Sequence, residues 1–222
     1  MKYSWRFVAV GAFFVTALVV SNIIAVKLVE VSGRVFPAGL VIFPLSYLLG
    51  DVLTEVYGYR AARLVIWVGF ACNLVAVAAI QAAIHLPPAG FWEQSQGAYE
   101  TTLGTTWRLF LASLAAYVVG EFTNSFVLAK MKLATNGRWL WSRTIGSTVV
   151  GEGLDSLVFI VAAFAGTGSP LADPILTTWG IKVAYETAAT PFTYAIVNWL
   201  KRAEGVDAFD ADTDFNPLAV GR

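Results

Sequence analysis

The sequence predicts an all-α membrane protein with six transmembrane helices and both termini cytoplasmic. Three observations lead there. The 222-residue chain is 57% hydrophobic, with a mean hydropathy of +0.66. Only 14% of its residues are charged, against about 25% in an ordinary soluble domain. Apolar stretches of about 20 residues recur, the length that crosses the hydrocarbon layer at about 1.5 Å per residue. The formal net charge is zero, so bulk charge points to no nucleic-acid partner, and the position of each charge carries the information.

The spans are expected at 5–27, 38–56, 61–85, 107–130, 144–166 and 174–200. The first follows Lys2 and Arg6 as a signal peptide would, but its apolar run is too long and ends in Lys27 without a clear cleavage site. The second carries Pro37 and Pro44, which make it a candidate for a kinked or broken segment. A tight connection at 57–63 makes the second and third spans an antiparallel hairpin. With the N-terminus inside, Lys2, Arg6, Arg60, Arg63, Lys130, Lys132, Arg138, Arg143, Lys201, Arg202 and Arg222 collect on the cytoplasmic side. The outer loops hold little more than Arg34 and Arg108, and this asymmetry sets the orientation. The loop 86–106, with Phe91, Trp92 and Trp107 at its end, reads as an interfacial aromatic belt or a gate over the outer mouth. Residues 1–202 form the transmembrane domain, and 203–222, with Glu204, Asp207, Asp210, Asp212 and Asp214, read as an acidic, mobile cytoplasmic tail.

The chemistry lies in polar residues inside these spans. Gly120-Glu121-Phe122-Thr123-Asn124-Ser125 returns as Gly151-Glu152-Gly153-Leu154-Asp155-Ser156, a GExx(N/D)S pattern on the fourth and fifth spans. A carboxylate at bilayer depth costs several kcal/mol unless it is paired, hydrated or neutralised. Glu121 with Asn124, and Glu152 with Asp155, each share a helix face, and the glycine before each glutamate lets another helix approach closely. Lys182 and Glu186 stand one turn apart on the sixth span, with internal pairing as the plain alternative. Asp51 and Glu55 share a face of the second span near the cytoplasmic surface, where an inner arginine is the expected partner. Ser21, Asn22 and Lys27 stand towards the outer end of the first span. The embedded acids outnumber the embedded lysines, which favours a cationic or N–H-rich solute, or carriage of protons.

Other readings are narrower. The single histidine and single cysteine exclude an intramolecular disulfide and the usual zinc or iron site, so no cofactor is expected. Ala17, Ser21 and Ala25 form a small-residue stripe, suited to helix packing or to docking a partner. No GxxxxGK(S/T) pattern is present, so the chain does not itself hydrolyse ATP. Gly151 to Asp155 superficially matches an intramembrane aspartyl protease motif, but the spacing is wrong and the second catalytic motif is absent, so the chain is not expected to be an enzyme.

These residues together resemble one family, the queuosine-precursor transporters, also called vitamin-uptake-transporter-like integral membrane proteins. The resemblance rests on Ser21-Asn22 with Lys27, Gly50-Asp51 through Glu55-Val56-Tyr57-Gly58, Gly120-Glu121 with Asn124-Ser125, Arg143 before Gly151-Glu152 and Asp155-Ser156, and Lys182 with Glu186. It implies a multi-pass importer in the bacterial inner membrane, carrying a 7-deazaguanine precursor of queuosine: 7-cyano-7-deazaguanine or the aminomethyl form. The residues are compatible with that solute. One carboxylate can accept both adjacent N–H donors of a guanine-like edge, and the Asn124 amide can serve the carbonyl edge. Phe122, Phe126, Phe159 or Tyr185 can stack on the bicyclic base.

The expected substrate site therefore comprises Glu121, Asn124, Glu152, Asp155, Glu186, Lys182, Asn22, Asp51, Glu55, Phe122 and Tyr185, centred between the last three spans, with one carboxylate as a carrier of a coupling proton. The expected partners are a purine-like small molecule, the lipid bilayer and a second copy in a homodimer. The alternative is the substrate-capture subunit of a vitamin importer energised by separate ATPase subunits, which would use the small-residue stripe for docking.

Overall fold

The computed structural model describes residues 4–31, 34–104, 107–168 and 170–219. Lys2 and Arg222, counted above on the cytoplasmic side, lie outside them. The elements in order are α1 (Trp5–Ile24), β1 (Leu28–Val31), β2 (Arg34–Pro37), a 3-10 turn (Ala38–Val41), α2 (Phe43–Tyr57), α3 (Tyr59–His85), α4 (Glu93–Leu103), α5 (Trp107–Ala134), α6 (Leu140–Phe164) and α7 (Ala172–Glu204).

Among the described residues, four segments are long and apolar enough to cross a membrane: Trp5–Ile24, Tyr59–His85, Gly90–Ala134 and Leu140–Phe164. The chain is a multi-pass membrane protein. The other two expected spans exist as helices but depart from the pattern. α2 has only 15 residues, and α7 runs for 33 with Pro191 inside it. α2 is short because it is central: residues from Ser46 to Val56 are all buried, enclosed by α1, α3, α5 and α7. The expected span 38–56 is broken at Ile42, between the 3-10 turn and α2. Pro44 occupies the first turn, where the missing N–H has no helical partner to lose, and Pro37 ends β2.

Two elements were not expected. After α1 the chain forms an antiparallel hairpin, pairing Leu28 with Pro37 and Val31 with Arg34; the β-branched Val29, Val31 and Val35 suit it. In the long loop, Gly90–Trp92 makes a 3-10 turn leading into α4. α4 is fastened to the end of α3 by the Gln96 amide, which donates to the Ile84 carbonyl at 3.1 Å.

The small-residue stripe on α1 is already occupied. A Cβ on Gly39 would lie 2.6 Å from the Ser21 carbonyl oxygen and 3.1 Å from Ala25 Cβ, so the 3-10 turn packs directly on it. Ala17 and Ser21 are buried in the same way. This takes away the feature on which a docking face for an energising subunit was expected.

The start of α1 and the end of α7 meet at one end of the bundle, the terminal face: Ser4 Oγ donates to Glu204 Oε1 at 2.8 Å. The tail expected to be mobile packs on this face. Asp210 Oδ2 accepts from the Tyr59 amide at 2.9 Å, capping the start of α3 where Gly58 turns with φ +83°. Buried Arg63 donates to the carbonyls of Asp214 and Asn216 at 2.8 and 2.6 Å, and Phe215 lies beneath Lys130, 3.9 Å from ring centroid to Nζ. A buried guanidinium must be satisfied, and the tail carbonyls do it.

Candidate functional site

The site begins where the two GExx(N/D)S copies touch. α5 and α6 cross there, with each glycine against the other copy. A Cβ on Gly120 would lie 2.7 Å from Asp155 Cβ, and one on Gly151 would lie 2.7 Å from Asn124 Cβ. Each motif's first position thus meets the other's fifth, a local two-fold relation that only glycine permits. The crossing brings buried Glu121, Asn124 and Glu152 into one layer with partly buried Asp155.

α7 adds the cation. Lys182 Nζ lies 2.8 Å from Glu152 Oε2 and donates to Asp155 Oδ2. The alternative pairing of Lys182 with Glu186 is therefore not what the structure adopts. The same ammonium lies 5.2 and 5.5 Å from the ring centroids of Phe43 and Tyr47 on α2, within reach of a cation–π attraction.

α2 adds the third wall. The Asn124 amide donates to Asp51 Oδ1 at 2.7 Å. Glu121 lies against Gly50, where a Cβ would stand 3.3 Å from its Oε2. Asp51 has Glu186 and Glu121 as electrostatic neighbours. Among the described residues, Asp51, Glu121 and Glu186 form no ion pair. Both oxygens of Glu121, Oδ2 of Asp51, Oε1 of Glu186, Oδ1 of Asn124 and the Ser156 hydroxyl are buried without a hydrogen-bond partner. Buried polar atoms are nearly always partnered, and several orphans facing one region mark a place built to receive something.

A narrow pocket of about 20 Å³, room for about one water molecule, leads towards this layer between the start of α2 and the middle of α7. Leu40, Phe43, Pro44, Tyr47, Ile181, Lys182, Tyr185 and Glu186 line it. None of the α4 loop residues lines it, so the reading of that loop as a gate finds no support there. Phe91 and Trp107 are instead exposed.

The remaining expected site residues go elsewhere. Glu55, completely buried, accepts on its single Oε1 from Arg143 at 2.8 Å and Lys201 at 2.7 Å, with Lys132 at 3.4 Å. It ties α2 to α5, α6 and α7 one turn nearer the terminal face than Asp51. Asn22 donates to Asn73 Oδ1 at 2.8 Å and joins α1 to α3. Phe122 is buried against Trp67, with ring centroids 5.6 Å apart. Phe126 packs on Phe215, and Phe159 on Phe164. Of the expected stacking rings only Tyr185 lines the pocket. Phe43 and Tyr47 were missed, although Leu40, Phe43, Pro44 and Tyr47 recur at helical spacing.

Chemically, the layer divides in two. Glu152 and Asp155 are compensated by Lys182. Asp51, Glu121 and Glu186 retain acceptor capacity in a dry setting, where a hydrogen bond is strong and an unmade one is costly. Residues 37–196 match the family described as "Putative vitamin uptake transporter". The chain is 31% identical over 182 residues to the "Probable queuosine precursor transporter" of Bacillus subtilis (strain 168), covering 81% of this chain and 79% of that protein. No solved structure matches.

Proposed function

The chain belongs to the putative vitamin uptake transporter family, and from that premise we propose that it is a secondary transporter of the bacterial inner membrane that imports a 7-deazaguanine precursor of queuosine. α1, α2 with its preceding 3-10 turn, α3, α5, α6 and α7 form the six spans in this reading, with both termini in the cytoplasm. The name carried by the Bacillus relative supports the solute class. The observation that carries the reading is the set of unpaired buried acids, Asp51, Glu121 and Glu186, beneath a pocket walled by aromatic rings.

The N–H edge of a deazaguanine is read by Glu186, which lines the pocket, and by Asp51 buried beyond it, each with an open acceptor oxygen. Phe43, Tyr47 and Tyr185 supply the faces on which the flat base stacks, as aromatic rings do on nucleobases. Lys182, at the pocket wall, is the donor for the carbonyl edge. Asn124, first expected to donate there, already donates to Asp51 and offers its Oδ1 instead. Glu121 is the carrier of a coupling proton. A carboxylate with no donor for either oxygen is stable in such a place only with a proton bound.

Uptake of labelled 7-cyano-7-deazaguanine and its aminomethyl form, in cells lacking their native importer, tests this. An Asp51→Asn, Glu186→Gln double variant should lose uptake by about ten- to a hundredfold at equal protein level, the loss expected when charged acceptors are replaced. Glu121→Gln should keep exchange of internal for external solute and lose accumulation against a gradient. Normal uptake by the double variant would sink the site assignment; accumulation by Glu121→Gln would remove the proton from Glu121.

A further inference from the structure

The cluster around Glu55 lies in line with the acid layer. On α2, Glu55 follows Asp51 by one turn towards the terminal face, on the same side of the helix. Its partners Lys132, Arg143 and Lys201 come from α5, α6 and α7, which with α2 also frame the acid layer. Over this cluster lies the segment after α7. Asp207 Oδ1 accepts from Lys132 at 2.5 Å and stands 2.9 Å from Lys201 Nζ. Lys132 also donates to the Ala208 carbonyl at 2.7 Å and to the Glu55 carbonyl at 2.6 Å. The Ala208 amide donates to the Val56 carbonyl at 3.1 Å.

We propose that Glu55, Lys132, Arg143 and Lys201, latched by Asp207, form the gate that closes the terminal face, and that the structure is the state whose pocket faces the opposite side. This rests on the transport reading above. The pocket supports it, because it is lined by Leu40 of the preceding 3-10 turn and by Phe43, Pro44 and Tyr47 of α2, the half of the helix remote from the terminal face.

The charges explain how such a gate opens. Removing the only partner of a buried carboxylate strands a charge and costs several kcal/mol. Glu55 has three cations on one oxygen, more than neutrality requires. When α7 moves away with Lys201 and Asp207, Arg143 and Lys132 stay, and Glu55 keeps a partner in both states. Among the contacts that break, the Lys201–Asp207 pair is hydrated on both sides: the side chain of Asp207 is 46% exposed and that of Lys201 20%, against 0% for Glu55. Exposed ion pairs are worth little and exchange readily with water. The dry part of the cluster holds; the hydrated part switches.

The test needs no substrate. In a Cys72→Ala background, a Ser147→Cys reporter stands one turn beyond Arg143 on the same face of α6, buried in the closed state. The protein is reconstituted in liposomes, with orientation read from a cleavable C-terminal tag. A membrane-impermeant thiol reagent is applied to the terminal face. Asp207→Asn and Lys201→Gln, both at partly exposed positions that folding tolerates, should each speed labelling on the order of tenfold, as the closed population falls. Unchanged labelling in both variants, with unfolding temperatures retained, overturns the gate. Faster labelling without deazaguanine uptake would sink the substrate reading alone, and unchanged labelling with normal uptake would sink the gate alone.

Discussion

Lys182 shows how one side chain sorts the carboxylates around it. By bonding Glu152 and Asp155 it turns the second copy of the repeated motif into a compensated triad and leaves the first copy's Glu121 unpaired. The two copies are alike in sequence and differ in what faces them. Lys182→Met should therefore destabilise the protein by about 3–5 kcal/mol, the cost of stranding buried charge. Adding Asp155→Asn should recover part of the loss, read as the unfolding temperature in detergent. If the double variant is no more stable than the single one, the triad is not what holds α6 to α7. At this scale much was legible in advance, because a charged residue in an apolar run announces itself. Glu55 was not. Its partners lie 88 and 146 residues away at Arg143 and Lys201, and no local pattern links them.

Among the elements, α5 and α6 are joined by a contact that only their glycines allow. Gly151→Val should cost about 1–3 kcal/mol and separate the helices, because its Cβ would meet Asn124 backbone and side chain. Gly153→Ala is the internal control, since a Cβ there meets Trp179 at 3.4 Å, an ordinary contact. Equal effects of the two on thermal unfolding would refute a close crossing. α2 teaches a second lesson. Its length and its acids make it a poor span by hydropathy, yet it is the most buried helix of the bundle. A helix sheltered by its neighbours has no need of a uniformly apolar surface, so hydropathy under-reads it.

In the molecule as a whole, the C-terminal segment closes one end. Asp207 is pushed up by its partial burial, but hydrogen bonds from Lys132 and Lys201 outweigh this and hold its carboxyl below the usual value of 3.8. A carboxyl depressed on docking adds stability above its undocked value and loses it as pH falls through the lower, docked one. Docking of the tail should thus be unaffected from neutrality down to about pH 3.8 and weaken only below it. Hydrogen exchange at the Ala208 amide, corrected for intrinsic rate, measures this. Release of the tail between pH 7 and 5 would show that Asp207 is not the latch.

By itself the sequence determined the helical membrane class, the approximate position of each long helix, the burdened carboxylates and the family, because hydropathy and isolated charges are local properties. The tertiary structure decided which acids are neutralised, which rings wall the pocket, and that the acidic tail is part of the bundle. Those outcomes depend on which cation or ring lies within a few ångströms, and residues that meet there can be 151 positions apart, as Tyr59 and Asp210 are. The GExx(N/D)S pair thus proves to be a helix crossing first, with one paired glutamate and one unpaired, and the difference between them comes from α2 and α7.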